Sequence, residues 1–300
     1  MESILLAGNT VHTGLGWLPD RPDFRDLTYA STEVRDLLSA SGSQSLQRLG
    51  AGKNDVPASA DLREHFSPVE DQGQLGSCTA NAACGMLEYY QRRSFGKYTN
   101  MSRLFLYKVT RQFLDMTGDT GAYLRSVMGA LALFGAPPEK YWPYDVSKFD
   151  NDPPAFTFAF AQNFQALTYF RLDAAGQTGE QTLTAVKSHL AAGVPAIFGF
   201  TVYASIQKAK KAGDIPFPAK NENVLGGHAI VAAGYDDARV VTNPNGTTTT
   251  GALLIRNSWG ESWGEGGYGW LPYEYVLQNL AEDFWAMTSA EWVDTTAFDE

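Results

Sequence analysis

Residues Asp71 to Ala83 read Asp-Gln-Gly-Gln-Leu-Gly-Ser-Cys-Thr-Ala-Asn-Ala-Ala, a loop punctuated by Gly73 and Gly76 that runs directly into helix-forming sequence. Glycine permits the tight turn, and from Cys78 onward Ala83, Met86, Leu87 and Tyr90 recur at the spacing of one buried helix face. The chain must therefore turn sharply and start a helix at a single thiol. Backbone N–H groups at a helix start lack partners and the helix dipole is positive there, which favours the thiolate of Cys78. A lone cysteine is as often a buried structural residue. A base elsewhere decides between the two, because a thiol with a free pKa near ~8.5 is mostly protonated at neutral pH.

The chain has four histidines. His12 lies in a Gly-rich leader, His65 in a short polar turn before Ser67 and Pro68, and His189 on a Lys-Ser-His-Leu helix face, and all three read as surface residues. His228 differs. Gly226 and Gly227 precede it, and the apolar run from Ala229 to Tyr235 follows, so a polar ring opens an otherwise buried strand. A satisfied core histidine would explain that placement as well. A second apolar strand, Leu253 to Arg256, ends at Asn257, whose side-chain amide could orient an imidazole. Between the two strands, Asn243 to Thr250 reads as an exposed hairpin tip, and strands paired in this way would make His228 and Asn257 neighbours.

Three ordered blocks now stand together: Gln72-x-Gly-x-x-Gly-Ser-Cys78, Gly227-His228-Ala229 with Gly234-Tyr235, and Asn257-Ser-Trp-Gly260-x-x-Trp-Gly264-x-x-Gly267-Tyr268. In this combination the chain resembles the papain family of cysteine peptidases, its bacterial members in particular. That family sets histidine and asparagine about 130–150 residues beyond the cysteine; here the gaps are 150 and 179 residues. The resemblance implies an α+β, two-lobe fold with a helical lobe carrying the thiol, an antiparallel β-barrel-like lobe carrying the base, and the active site in the cleft between them. It implies peptide-bond hydrolysis through a Cys78 thioester, with His228 as base and acid, Asn257 fixing the ring, and Gln72 with the Cys78 N–H in the oxyanion hole. Trp259 is expected to shield the His228–Asn257 contact, and the main specificity pocket to lie beside Gly226, Gly227 and the turn of Gly121, Ala122 and Tyr123. Small residues at 226 and 227 leave that pocket roomy.

The sequence also departs from the family. Leu75 stands where members usually have a second cysteine, Thr79 replaces an aromatic residue, and the segment Gly118 to Tyr123 lacks the partner cysteine, so one family disulfide is absent. Two other readings stay open: a catalytically silent relative that binds peptides, and a thiol acyltransferase or amidase.

Three hundred residues with 44% apolar content can bury a sizeable core, and a net charge of −10 argues against nucleic-acid or anionic-membrane partners. The Lys208, Lys210 and Lys211 cluster reads as a solvated helix face. Cys78 and Cys84 are expected in one helix, ~9 Å apart along its axis and on different faces, so the chain should be free of disulfides. The start Met1 to Ala7 has no basic segment and only a brief apolar run, which does not read as a secretory signal peptide. A monomer is expected, with peptide or protein substrates, no cofactor, no metal and no membrane span, and the sequence leaves its compartment open between the cytoplasm and export by another route.

In chain order, residues 1–52 read as an N-terminal extension and 53–300 as the catalytic domain, mainly helical over about 70–165 and mainly β over about 166–290. Gly14 to Asp26 is extended and aromatic, a short helix covers Thr32 to Leu38, and residues 39–52 read as a flexible Gly/Ser-rich linker. The extension is expected to lie across the cleft as a pro-segment or latch, with Trp17, Leu18 and Phe24 filling the substrate groove. Further helices are expected over 103–114, 123–134 and 183–192, and strands over 194–202, 228–235, 252–257 and 267–271.

Overall fold

The computed structural model describes residues 4–6, 9–11, 14–41, 43–52, 56–209 and 213–292. One mixed-length antiparallel sheet organises the β half. Its strands run in the order Tyr268–Pro272, Thr248–Arg256, Val224–Thr242, Ala196–Tyr203, Ala281–Trp292, Phe164–Arg171, with Ser59–Asp61 added to the long strand Val224–Thr242. Against one face stand the helices Cys78–Phe95, Arg103–Phe113 and Leu124–Leu133, and against the other stands Gly179–Ala191. The fold is thus α+β, with helical and β lobes.

The apolar run after His228 has a simple cause. Ala229, Val231 and Ala233 belong to the core shared with the helices, while Ile230, Ala232 and Tyr235 belong to the core on the opposite face. A strand buried on both faces cannot alternate with polar residues. Side-chain alternation also puts His228 on the face of Ile230 and Ala232, and Asn257 on the face of Leu253 and Ile255. The two strands pair around the loop at Asn243, with Val231 opposite Arg256, so both polar side chains emerge on one face at one end of the sheet.

The helix ends obey local chemistry. Ser102 caps Arg103–Phe113 by accepting from the Phe105 N–H, Thr178 and Gln181 form a capping box on Gly179–Ala191, and Gly96 ends the long helix in the left-handed conformation.

Several expectations need correction. Residues 39–52 are not a coil: Gln44–Gly50 is helical, Leu49 is buried, and the Arg35 Nε–H bonds the Gly50 carbonyl. With Val34 and Leu38 of the helix Thr32–Ser39, Leu49 enters the core beneath the sheet, because an amphipathic helix finds there the apolar partner that a linker would lack. His189 is a core residue, with Nδ1 2.7 Å from the Ala185 carbonyl, and burial pushes its imidazole down to about 4. Phe24 is 96% exposed and fills no groove. Strands Phe164–Arg171 and Ala281–Trp292 lie outside the set of strands expected from sequence. His12, Lys210 and Lys211 lie outside the described residues. Among the described residues no helix is long and apolar enough to cross a membrane.

Candidate active site

Cys78 is the first residue of its helix, and the loop before it is fastened at several points. The Gln72 N–H bonds the Ser258 carbonyl at 2.9 Å, the Tyr144 hydroxyl donates to the Gln72 carbonyl at 3.0 Å, and Ser77 Oγ and Tyr144 Oη are 2.6 Å apart. The Asp119 carboxylate accepts from the Gly76 N–H at 2.9 Å and from the Tyr107 hydroxyl at 2.6 Å. This carboxylate ties segment 118–123 to the thiol loop, the two stretches that the absent disulfide would have been expected to join.

His228 and Asn257 meet as the strand pairing requires, with Nε2 2.8 Å from Asn257 Oδ1. The Ser258 N–H also donates to that oxygen at 2.8 Å. An oxygen already accepting one proton fixes the amide orientation, so the imidazole must donate from Nε2 and keep a bare lone pair on Nδ1. Nδ1 is buried with no hydrogen-bond partner among the described residues. The Trp259 ring stacks on the imidazole at 4.6 Å between centroids and covers this face of it. Cys78 Sγ accepts from the Ala229 N–H at 3.4 Å, one residue beyond the histidine. Gln72 extends toward the same space: its Oε1 accepts from Ser258 Oγ at 2.5 Å, which turns Nε2 outward as the donor.

The cleft is occupied by the chain's own N-terminal segment. The Gly14 N–H bonds the Gly73 carbonyl at 3.0 Å, and Gln72 Nε2 donates to the Gly14 carbonyl at 3.0 Å and to the Leu75 carbonyl at 2.8 Å. The Gly16 N–H lies near enough to Cys78 Sγ to favour its thiolate. Trp17 and Leu18 then pair in parallel with Ala122 and Tyr123, and the Ala122 N–H bonds the Gly16 carbonyl at 2.8 Å. Glycine is required on both sides of this contact. A Cβ on Gly16 would lie 1.8 Å from the Gly76 carbonyl oxygen, and one on Gly121, at φ +73°, would lie 2.2 Å from the Gly16 oxygen. Leu15 packs at Gly226 and Trp17 at Gly227. Each of the ten residues singled out from the sequence therefore lies in or beside one cleft. Ser258, Asp119 and Asp283, which also build it, were not singled out; Asp283 is one of two adjacent acids, with Glu282, in the run Ala281 to Met287, and nothing local marks it.

Burial under this strap sets the charge state. Desolvation raises the Cys78 thiol to about 11 against the pull of the Ala229 and Gly16 N–H groups, and desolvation lowers the His228 imidazole to about 4 against the Asn257 bond. Both shifts keep the covered pair neutral. A thiol with a raised pKa stays protonated until the pH approaches the raised value, so iodoacetamide should alkylate Cys78 of the intact chain slowly at pH 7 and faster as the pH climbs toward about 11. A rate already at its plateau near pH 7 would contradict this.

The family model described as "Papain family cysteine protease" matches residues 56–281. An uncharacterized peptidase C1-like protein of Acanthamoeba polyphaga mimivirus is 31% identical over 285 residues, 92% of this chain and 87% of that protein. Among solved structures, xylellain, a cysteine protease from Xylella fastidiosa, matches with a TM-score of 0.71 at 32% identity, over 94% of this chain and 97% of that one. Digestive procathepsin L 3 from the Tenebrio molitor larval midgut shares the fold, with a TM-score of 0.58 at 20% identity over 85% of this chain and 78% of that one.

Proposed function

The chain belongs to the papain family of cysteine peptidases, and from that premise we propose that Cys78, His228, Asn257 and Gln72 carry out the hydrolysis while the N-terminal strap restrains it. Cys78 attacks the scissile carbonyl carbon, its proton passes to His228 Nδ1, and the imidazolium then protonates the leaving amine; water enters by the reverse sequence to release the acyl group. Asn257 holds the tautomer that leaves Nδ1 free, and Trp259 keeps water from that bond. Gln72 Nε2 and the Cys78 N–H donate to the developing oxyanion, each such donor being typically worth ~3 kcal/mol.

One observation carries this reading: a peptide backbone already lies against the thiol, its Gly14 carbonyl held by Gln72 Nε2. The strap's Gly16 N–H lies near Sγ, an N–H is not a group that a nucleophile attacks, and the strap's pairing with Ala122–Tyr123 is parallel. Such a segment would block substrate without being cut. The Tenebrio protein is by its title a pro-form, which fits the same arrangement. Residues 53–300 would form the catalytic unit and 1–52 its restraining extension, a monomer acting on peptide or protein substrates. With the strap displaced, water returns to the cleft, desolvation falls away, and the pair can ionise to thiolate and imidazolium.

The test uses the full chain with Gly16→Val, whose strap has no space beside Gly76. A peptidyl epoxide should add one mass equivalent at Cys78, and the alkylation profile should move to lower pH than in the intact chain. No adduct at Cys78 in that folded variant would refute the assignment. In the same background, Asn257→Ala should lower kcat about 10- to 100-fold with little change in KM, because the amide orients the base and does not hold peptide. An unchanged kcat would move the orienting role elsewhere.

A further inference from the structure

The strap shows which side chain the cleft accommodates. Trp17 is only 5% exposed, its indole packed into the buried cluster that also holds Cys78. Two glycines make room for it: a Cβ on Gly199 would fall 1.9 Å from the ring, and one on Gly227 would fall 2.8 Å from it. At the bottom the indole N–H donates to Asp283 Oδ2 at 3.1 Å. Asp283 is fully buried and sits where the pairing of Ala281–Trp292 with Ala196–Tyr203 changes register between Glu282 and Trp285. Its φ of 66° is a left-handed conformation that aspartate tolerates better than most residues. That irregularity sets the carboxylate against the Trp17 indole, beside the buried apolar residues Phe284 and Trp285.

The other charges around Asp283 define what the carboxylate can accept. Oδ1 is already engaged by the Trp285 indole N–H at 2.8 Å and by Arg171 Nη1 at 3.2 Å. Arg171 in turn is held by Asp173 at 2.9 Å, and Asp173 accepts from the Asp283 and Phe284 N–H groups. The strap's Asp26 lies 3.7 Å from Arg171, and Glu282 stands next to Asp283 in sequence. One cation, Arg171, therefore faces two buried carboxylates, Asp173 and Asp283, and what loses its partner when Trp17 leaves is Oδ2, at the depth of an indole nitrogen.

Resting on the peptidase reading, we propose that this pocket selects substrates by a tryptophan side chain, with Asp283 as the specificity-determining residue that accepts the indole N–H. A pocket is filled by a side chain whichever way the backbone crosses its mouth, so a substrate running either way along Ala122–Tyr123 can present the same ring as the parallel-paired strap. A hydrocarbon ring of similar size would bury Oδ2 without a donor, and a site built around a hydrogen bond rejects the analogue that lacks it. A guanidinium could donate to Oδ2 but would leave the ring's space beside Gly199 and Gly227 unfilled.

The experiment uses the full chain carrying Gly16→Val and peptidyl coumarins in which either of the two residues before the leaving group is tryptophan, 3-benzothienylalanine, phenylalanine, arginine or alanine. Benzothienylalanine keeps the indole's shape and removes only its N–H. Tryptophan should exceed benzothienylalanine and phenylalanine in kcat/KM by on the order of 10- to 100-fold at one of the two positions. Adding Gly199→Ala should reverse the order of the tryptophan and alanine peptides, since its methyl occupies the ring's space. Equal cleavage of the tryptophan and benzothienylalanine peptides, or arginine cleaved as well as tryptophan, would overturn the pocket assignment and leave the peptidase reading intact. Failure to cleave any peptide, together with no epoxide adduct at Cys78, would instead refute the peptidase reading and this proposal with it.

Discussion

Replacing Gly16 with valine is expected to raise the kcat/KM of the full chain on a small fluorogenic peptide by about 10²- to 10³-fold. The Cβ would stand 1.8 Å from the Gly76 carbonyl oxygen, and Gly76 cannot retreat because Asp119 holds its N–H at 2.9 Å. Gly16 has no positive φ, so valine suits its backbone and only the space at the thiol forbids it. What is lost is strap docking. Burying the Trp17 indole is worth about 2–3 kcal/mol and the Ala122 N–H bond to the Gly16 carbonyl about 1 kcal/mol, roughly 3–4 kcal/mol together. At about 1.4 kcal/mol per decade, that is the stated factor. The helix pair over 32–50 contributes core residues, so this substitution tests the strap more cleanly than deleting residues 1–52 would. Wild-type and variant chains of equal activity, both folded by near-ultraviolet circular dichroism, would reject the latch.

Arg171→Ala is expected to cost about 3–5 kcal/mol of stability at pH 7.5, a large part of what a domain normally has. Arg171 is 1% exposed and binds Asp173 at 2.9 Å, Asp283 at 3.2 Å and, through Nη2, the Asp20 carbonyl at 3.0 Å. Truncation would leave two carboxylates buried without their cation. Desolvation already raises Asp283 to about 7 and raises Asp173, and losing the cation would raise both further. A raised carboxylate pKa means that the folded form is favoured at low pH and loses that advantage as the pH climbs through the raised value. The deficit should therefore be largest above pH 7 and shrink toward pH 5. Urea unfolding at the two pH values measures it; a loss below about 1 kcal/mol at pH 7.5 would show that the cluster is solvated. Because the Trp17 indole and the Asp20 carbonyl both meet this cluster, weaker restraint of the active site should accompany the lost stability.

The legible part of this protein was the part written in short-range pattern. Gly73 and Gly76 followed by helix formers put Cys78 at a helix start. The two apolar strands on either side of the turn at Asn243 put His228 and Asn257 on one sheet face, because side-chain direction in a strand follows from counting by two. Residues 39–52 were misread because Gly and Ser content describes a chain in isolation, whereas Leu49 is helical only by having Val34, Leu38 and the underside of the sheet to pack on. The buried His189 was misread for the same reason: a helix face carries no mark of what covers it. The bond from Trp17 to Asp283 spans 266 residues, and no local spacing encodes it. From sequence alone came the thiol, the imidazole, the amide that meets it and a segment with aromatic residues to place in a groove. Only the tertiary structure decided that the segment docks beside the thiol, with Gly14 bonded to Gly73 and Gln72, that Trp17 and not Phe24 is buried there, and that the Asp283 carboxylate meets its indole, since these depend on which surfaces meet once the strands and helices have packed.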